Sequence, residues 1–217
     1  MALLGNGALG VWHGIAAGQE RTVDDWYNDE HNAERVAIDG FLRARRYVNV
    51  GQGRRYFSRY DTSTVDVLGS PDYLKALDNP SERSRANFPH YRDTLRGAYR
   101  ITARQGFADG GFTLVCRFFG DDVPTVAALS ELAAQLLSQP PVTRTEIWDV
   151  DAAITTITTQ EKALRKAAEN FPTRVLLVDG SDPATLQETL QAAPSRSITG
   201  GAEIDTYKLV LHLAKDN

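Results

Sequence analysis

Cysteine is all but missing from this chain: Cys116 is the only one in 217 residues. A single cysteine excludes an intramolecular disulfide and any cysteine-rich zinc site. Its flanks, FTLVCRFF, read as a buried strand in which a cysteine acts as a small apolar filler. Long apolar runs are missing too, and none approaches the roughly 20 residues that a membrane helix needs. The stretch MALLGNGALGVWHG has neither a basic segment nor a long apolar one, so no secretory signal is expected. Basic excess is also absent. A net charge of −4 and a pI near 5.6 set the chain apart from nucleic-acid binders. The expectation is a cytoplasmic protein with neither nucleic-acid nor membrane partners.

Several chemical signatures are lacking as well. There is no HExxH, no histidine cluster and no two-His-one-carboxylate arrangement, so no metal site is expected. No GxGxxG follows a strand, and no phosphate-binding P-loop occurs. GNGALG carries glycines but precedes a strand instead of joining strand to helix. No GxSxG elbow is present. The expectation is therefore no cofactor.

What remains is an ordinary globular composition, 42% hydrophobic and 24% charged. GALGVWHGIA (7–16) reads as a strand. A helix follows from Thr22 as N-cap to about Ile38, with Asp24 and Asp25 in its first turn and Asp39-Gly40 ending it. FLRARRYVNV (41–50) and RRYFSRYDT (54–62) alternate as a hairpin. Pro71 opens a second helix, residues 81–95 read as loop or helix, and 97–107 as a strand. The order strand, helix, strand, strand, helix, strand is the ferredoxin-like βαββαβ plan. The second half repeats it. Strands fall at 110–120, 142–151, 173–181 and 203–215, and helices at 123–139 and 182–193, the latter with Asp182 as N-cap. A further helix is inserted over 161–170. The fold class is α+β: two tandem ferredoxin-like repeats, 1–108 and 109–217, closing into one barrel. Closure follows because each sheet has one face on its helices and must bury the other.

One match ties the halves together. Arg43, Arg45 and Tyr47 on the second strand of the first half correspond to Arg144, Glu146 and Trp148 in the second half. Alternate spacing puts each trio on one face. Buried arginines need partners, and Glu146 is the expected counter-charge. The trios read either as the wall of a ligand cavity between the two sheets or as a salt-bridge network that closes the barrel.

The run WYNDEHNAERVAIDGFLRARRY resembles the W-[HY]-x-x-E-H-x-x-E-R-x-x-x-x-G-F-x-R-x-R-R-Y signature of uncharacterised proteins in the dimeric α/β-barrel superfamily, near the EthD-like branch. YFSRYD, VLGSPDYLKALDNPS and FPHYRDT resemble that group's later segments, so the likeness is specific over about residues 9–97. Asp39 departs from it, where the group carries proline, and so does Asn32-Ala33. The resemblance implies two ferredoxin-like halves around a cavity. It implies no single activity, because the superfamily holds cofactor-free monooxygenases, haem-dependent enzymes, isomerases, dehydratases and ligand binders. In its haem-binding members the axial histidine comes from the second half, where this chain has only His212.

Candidate catalytic residues are His31 and His13. Tyr27, His31 and Arg35 recur at four-residue spacing and form a column suited to an anionic or phenolic ligand, with His31 as acid or base. The alternative is a hydrogen-bonded helix end with Tyr27 in the core. Strict alternation groups His13 with Leu9, Val11 and Ile15, unless a bulge in the glycine-rich strand turns it toward the cavity in place of Trp12. Candidate ligand contacts are Trp12, Trp26, Tyr27, Arg35, Arg43, Arg45, Tyr47, Glu146 and Trp148. His90 follows a proline in an exposed loop. The leading function is binding of a small aromatic or polyketide-like molecule in the cavity between the sheets. The alternatives are a non-catalytic module with a filled barrel and an EthD-like or cofactor-free monooxygenase. Exposed edge strands would favour a homodimer.

Overall fold

The structure is a computed structural model describing residues 5–165, 170–191 and 193–215. Eight strands form one closed antiparallel barrel in the order β1-β3-β2-β8-β5-β7-β6-β4. The first half supplies β1 (Gly7–Ile15), β2 (Phe41–Asn49), β3 (Tyr56–Thr62) and β4 (Tyr91–Gly106). The second supplies β5 (Phe112–Phe118), β6 (Val142–Val150), β7 (Arg174–Gly180) and β8 (Glu203–Ala214). Each half has its fourth strand beside its first, then its third, then its second, which is the ferredoxin-like order. The halves join where β2 pairs with β8 and β4 with β6. The expected fold is the one found. Every strand has two neighbours, so the barrel has no free edge and the edge-strand argument for a dimer falls away.

Helices cover the outside. In the first half α1 (Glu20–Trp26), a π-helical turn (Tyr27–His31) and α2 (Asn32–Ala37) run on without a break. This helix begins three residues earlier than expected, and its N-cap position, Gln19, makes no side-chain cap. The next helices, α3 (Pro71–Asp78) and α4 (Glu82–Asn87), are capped by Ser70 and Ser81. Beyond α4, β4 starts at Tyr91, so residues read as loop already belong to a strand. In the second half α5 (Val126–Leu137) and α8 (Pro183–Gln191) bury Leu129, Leu132, Leu136, Leu186 and Leu190 against the sheet. Asp182 does cap α8: its carboxylate accepts from the Thr185 amide at 2.7 Å. Three short helices complete the set: α6 (Ala152–Thr156), α7 (Gln160–Arg165) and α9 (Ala193–Thr199). Of the inserted helix expected over 161–170, residues 166–169 lie outside the described residues, as does residue 192 of the helix expected over 182–193.

The barrel interior is filled. Ala8, Trp12, Tyr47, Phe57, Leu95, Tyr99, Val115, Trp148, Val175, Leu177 and Tyr207 form one buried cluster. Trp12 stacks on Phe57 with centroids 4.9 Å apart. Gly10 and Gly97 sit opposite each other in the β1–β4 register. A Cβ on Gly10 would come within 2.5 Å of the Trp12 ring, so the two glycines leave the volume that Trp12 and Tyr99 occupy. Above this aromatic layer lies a charged one. Arg59 on β3 reaches Glu146 on β6 at 2.7 Å, and Arg104 reaches the same carboxylate at 2.9 Å. Arg45 pairs with Asp61 at 2.7 Å, and Asp109 receives Arg43, Arg45 and Arg144 at 2.6, 2.7 and 2.6 Å. Burial works against the Asp61 charge, but Arg45, Arg59 and Arg43 hold its carboxyl well below the usual range. At the other end Arg117 pairs with Asp205 and donates to the Tyr207 hydroxyl at 3.2 Å.

Removing one member of such a network strands a buried charge. Glu146→Gln should lower stability by about 3–5 kcal/mol, read by guanidinium denaturation. Gly10→Ala should cost about 1–3 kcal/mol by overpacking the Trp12 ring. A wild-type denaturation midpoint in either variant would contradict the filled interior.

Candidate functional site

The residues expected to line one cavity fall on two opposite faces of the barrel wall. Trp12, Arg43, Arg45, Tyr47, Glu146 and Trp148 face the barrel interior, where they are stacked or ion-paired. Glu146 serves Arg59 and Arg104, not Arg45, and accepts from the Trp148 indole at 2.9 Å. Close-packed rings and ion pairs occupy the space between the sheets, and Trp12 Nε1, Arg45 Nε and Arg59 Nη1 are buried there without a hydrogen-bond partner. Phe41, which strict alternation would place on the face of Arg43, lies on the other one. A register shift between Phe41 and Arg43 turns it to the helix side, against Tyr60 and Tyr73.

His13, Trp26, Tyr27, His31 and Arg35 lie on the other face, under the helices. Alternation along β1 holds through Trp12 and His13; the irregularity against β4 follows between Trp12 and Gly14. His13 is fully buried and stacks on the Tyr91 ring at 4.1 Å. Its Nδ1 lies 3.1 Å from the Gly14 carbonyl, which assigns the proton to Nδ1 and leaves Nε2 a bare acceptor. That Nε2 is buried with no partner. The Tyr27 and Tyr91 hydroxyls are 2.5 Å apart. The Arg46 guanidinium stands 4.0 Å from the Tyr27 ring centroid and 4.4 Å from that of Tyr56, and it donates to Asp24 at 2.6 Å. Sequence reading passed over Arg46 because it breaks the alternate-arginine count that picked out Arg43 and Arg45.

The π-helical turn ends on His31, whose ring lies 4.3 Å from Trp26 and 5.1 Å from Tyr27. Trp26 itself packs against Phe88 at 5.1 Å and does not reach the cavity below it. That cavity is lined by Tyr27, His31, Arg35, Tyr60, Glu161 and Arg165, among others. The Tyr27–His31–Arg35 column is thus assembled on one wall. His31 Nδ1 is buried with no partner. Glu161 and Arg165 come from α7, in the connection between β6 and β7 of the other half, which packs across the first-half helices. The Glu161 carboxylate accepts from Arg35 and, at 3.1 Å, from Arg165. The Gln160 amide donates to Asp78 on α3 at 3.0 Å, fixing α7 in place. About 20 Å³ of this cavity is open to the centre of a water molecule, room for one water. Glu161 and Arg165 form an i, i+4 pair that sequence alone would assign to a solvated helix face.

Electrostatics favour an anion here. Two guanidinium groups share one buried carboxylate, and Arg96 adds a third cation, donating to the Tyr73 hydroxyl at 3.2 Å. Burial, then Arg46, lowers the His13 pKa to about 3. Burial, then Arg35 and Arg165, holds His31 well below 6.5. Both imidazoles are neutral at pH 7. Burial also holds the Tyr60 and Tyr91 phenols well above their usual range, so both keep their protons.

No family model matches the chain, and no curated protein matches it. Solved structures do. An anthrone oxidase-like protein superposes with a TM-score of 0.61 at 8% identity, covering 96% of this chain and 92% of the other. A candidate monooxygenase from Fusobacterium nucleatum gives 0.57 at 8% identity over 98% and 96%. A candidate chlorite dismutase gives 0.54 at 13% identity over 94% of each chain. The chain has the dimeric α/β-barrel fold. Within that fold the second half offers a larger groove, about 880 Å³, between β8, α8, α9 and the β2–β3 turn. Leu114, Leu190, Gln187, Arg196 and Ile204 line it and no histidine does, while His212 is exposed on β8. The groove residues therefore do not fit a haem with an axial imidazole. Among the described residues no group of three or more His, Cys, Asp or Glu side chains could hold a metal ion, and no helix is long and apolar enough to cross a membrane.

The histidines set a pH dependence. Both have folded pKa values below 6.5, so the unfolded chain binds more protons in acid. Their contribution is complete above 6.5 and is lost as pH falls toward about 3 for His13. Each should steepen the loss of unfolding free energy by up to about 1.4 kcal/mol per pH unit. His13→Gln should flatten the stability profile between about pH 6.5 and pH 5 relative to wild type. An unchanged slope would mean that His13 is not buried and neutral.

Proposed function

We propose that the chain binds a small aromatic or polyketide-like hydroxylated molecule on the helix side of its first half, beside His31, and not between the two sheets. The observation that carries this reading is the unpartnered, buried Nδ1 of neutral His31 at a cavity wall that also presents Arg35 and Arg165. A buried ring nitrogen without a partner calls for a hydrogen-bonding group such as a phenolic hydroxyl, which can meet either tautomer. The surrounding cations favour a phenolate and work against an imidazolium, so His31 accepts the hydroxyl's hydrogen bond and passes the proton on without holding it. His13 sits one layer behind, stacked on Tyr91, and acts as a positioning residue through the Tyr91–Tyr27 hydroxyl pair.

The same geometry supports a cofactor-free, EthD-like monooxygenase as the activity. A phenolate is electron-rich enough to react with dioxygen directly. The substrate supplies all four electrons: a ring CH₂ becomes C=O, one oxygen atom enters the product and the other leaves as water. The fold likeness to an anthrone oxidase-like protein agrees with this reading at the level of fold. A second reading, a non-catalytic module, is favoured by the filled barrel and by a helix-side cavity of one-water size.

A hydroxylated anthrone in an oxygen-electrode cell separates the two. Oxygen uptake is expected with wild type, falling by about 10²-fold or more in His31→Ala. No uptake and no binding of the anthrone by wild type would leave the structural module.

A further inference from the structure

Glu161 reaches a binding wall that its own half does not build. It arrives on α7, in the connection between β6 and β7, and its carboxylate sits between Arg35 of α2 and Arg165. All three side chains are buried, and Arg165 Nε has no partner. The Arg35 guanidinium carbon also lies 5.9 Å from the Tyr73 ring centroid, and that of Arg165 lies 5.1 Å from the Phe88 ring centroid. Arg35 is thus the guanidinium that the first half supplies, while Glu161 and Arg165 both arrive on α7, with Arg165 beside the first-half Phe88 ring. The Glu161 carboxylate fills the position that the carboxylate of a bound molecule would take. The geometry points to Glu161 as a built-in competitor: a ligand bearing a carboxylate beside its aromatic ring binds by displacing Glu161 from Arg35, and α7 moves with it to open the one-water cavity.

This rests on the proposed helix-side site and adds the charge class of its ligand and the element that closes it. A hydroxyl meets His31, a carboxylate meets Arg35, and the ring lies between them against Tyr27 and Tyr60. Energetically the exchange is one buried ion pair for another, so the site can open without stranding a guanidinium charge. Displacement also separates Gln160 from Asp78, a single hydrogen bond at the lid's N-terminal end.

Benzoate is the probe, read by calorimetry and thermal melting on the full chain. Glu161→Gln should melt below wild type, bind benzoate at least about tenfold more tightly than wild type, and regain melting temperature as benzoate is added. Adding Arg35→Met to Glu161→Gln should abolish both responses. Where Glu161→Gln does not fold, Glu161→Gln/Arg165→Met removes one of the two stranded charges and should still bind benzoate through Arg35. Equal benzoate affinity in wild type and the Glu161 variants, or benzoate binding that survives Arg35→Met, would overturn the proposal. Binding of a phenol through His31 without any benzoate gain would overturn the Glu161 account alone. A benzoate gain without phenol binding would overturn the His31 reading and leave the Glu161 account in place.

Discussion

The ion pair between Arg59 and Glu146 is the contact on which the barrel depends. It joins a strand of the first half to a strand of the second across the interior, with Arg104 on the same carboxylate. Closing two four-stranded sheets on each other creates a space that has to be filled, and here it is filled in layers. Charged groups from both halves meet at one end, aromatic rings occupy the middle, and Arg117 with Asp205 finishes the other end. Buried ion pairs of this kind add little net stability over an apolar core, but they leave few alternative registers. Asp109, in the segment joining the halves, shows the same economy: one carboxylate holds Arg43 and Arg45 of β2 and Arg144 of β6.

A filled interior decides where chemistry can occur. Among the described residues the sheets also present faces under the helices, and the two halves differ there. The first half packs histidine, tyrosine and arginine beneath a helix with a π-helical turn. The second packs leucine, valine and isoleucine under α5 and α8 and leaves a groove with no imidazole. One half thus keeps an ordinary core while the other carries titratable groups. The β6–β7 connection makes the two interdependent, because α7 lies over the first-half cavity.

Much of the fold was legible in the sequence because strand alternation and the repeated strand-helix order depend on local pattern. The Arg43, Arg45, Tyr47 and Arg144, Glu146, Trp148 trios were readable as facing the same environment. The partner of each arginine was not, since Asp61 and Asp109 come from β3 and the inter-half segment and no spacing links them to β2. The Tyr27–His31–Arg35 column was visible from helical spacing. Its closure by Glu161 and Arg165 was hidden, because an i, i+4 pair on a short helix reads as solvated until the tertiary fold buries it. Tyr91 was missed for a simpler reason: β4 begins before the proline-marked loop reading ends.

The central claim is that ligand binds under the helices of the first half and not between the sheets. A crystal structure of the full chain soaked with a hydroxylated anthrone tests it directly. The account predicts density against Tyr27, His31 and Arg35, with α7 displaced. Density among Arg45, Tyr47 and Trp148, with the Arg59–Glu146 pair parted, would contradict it.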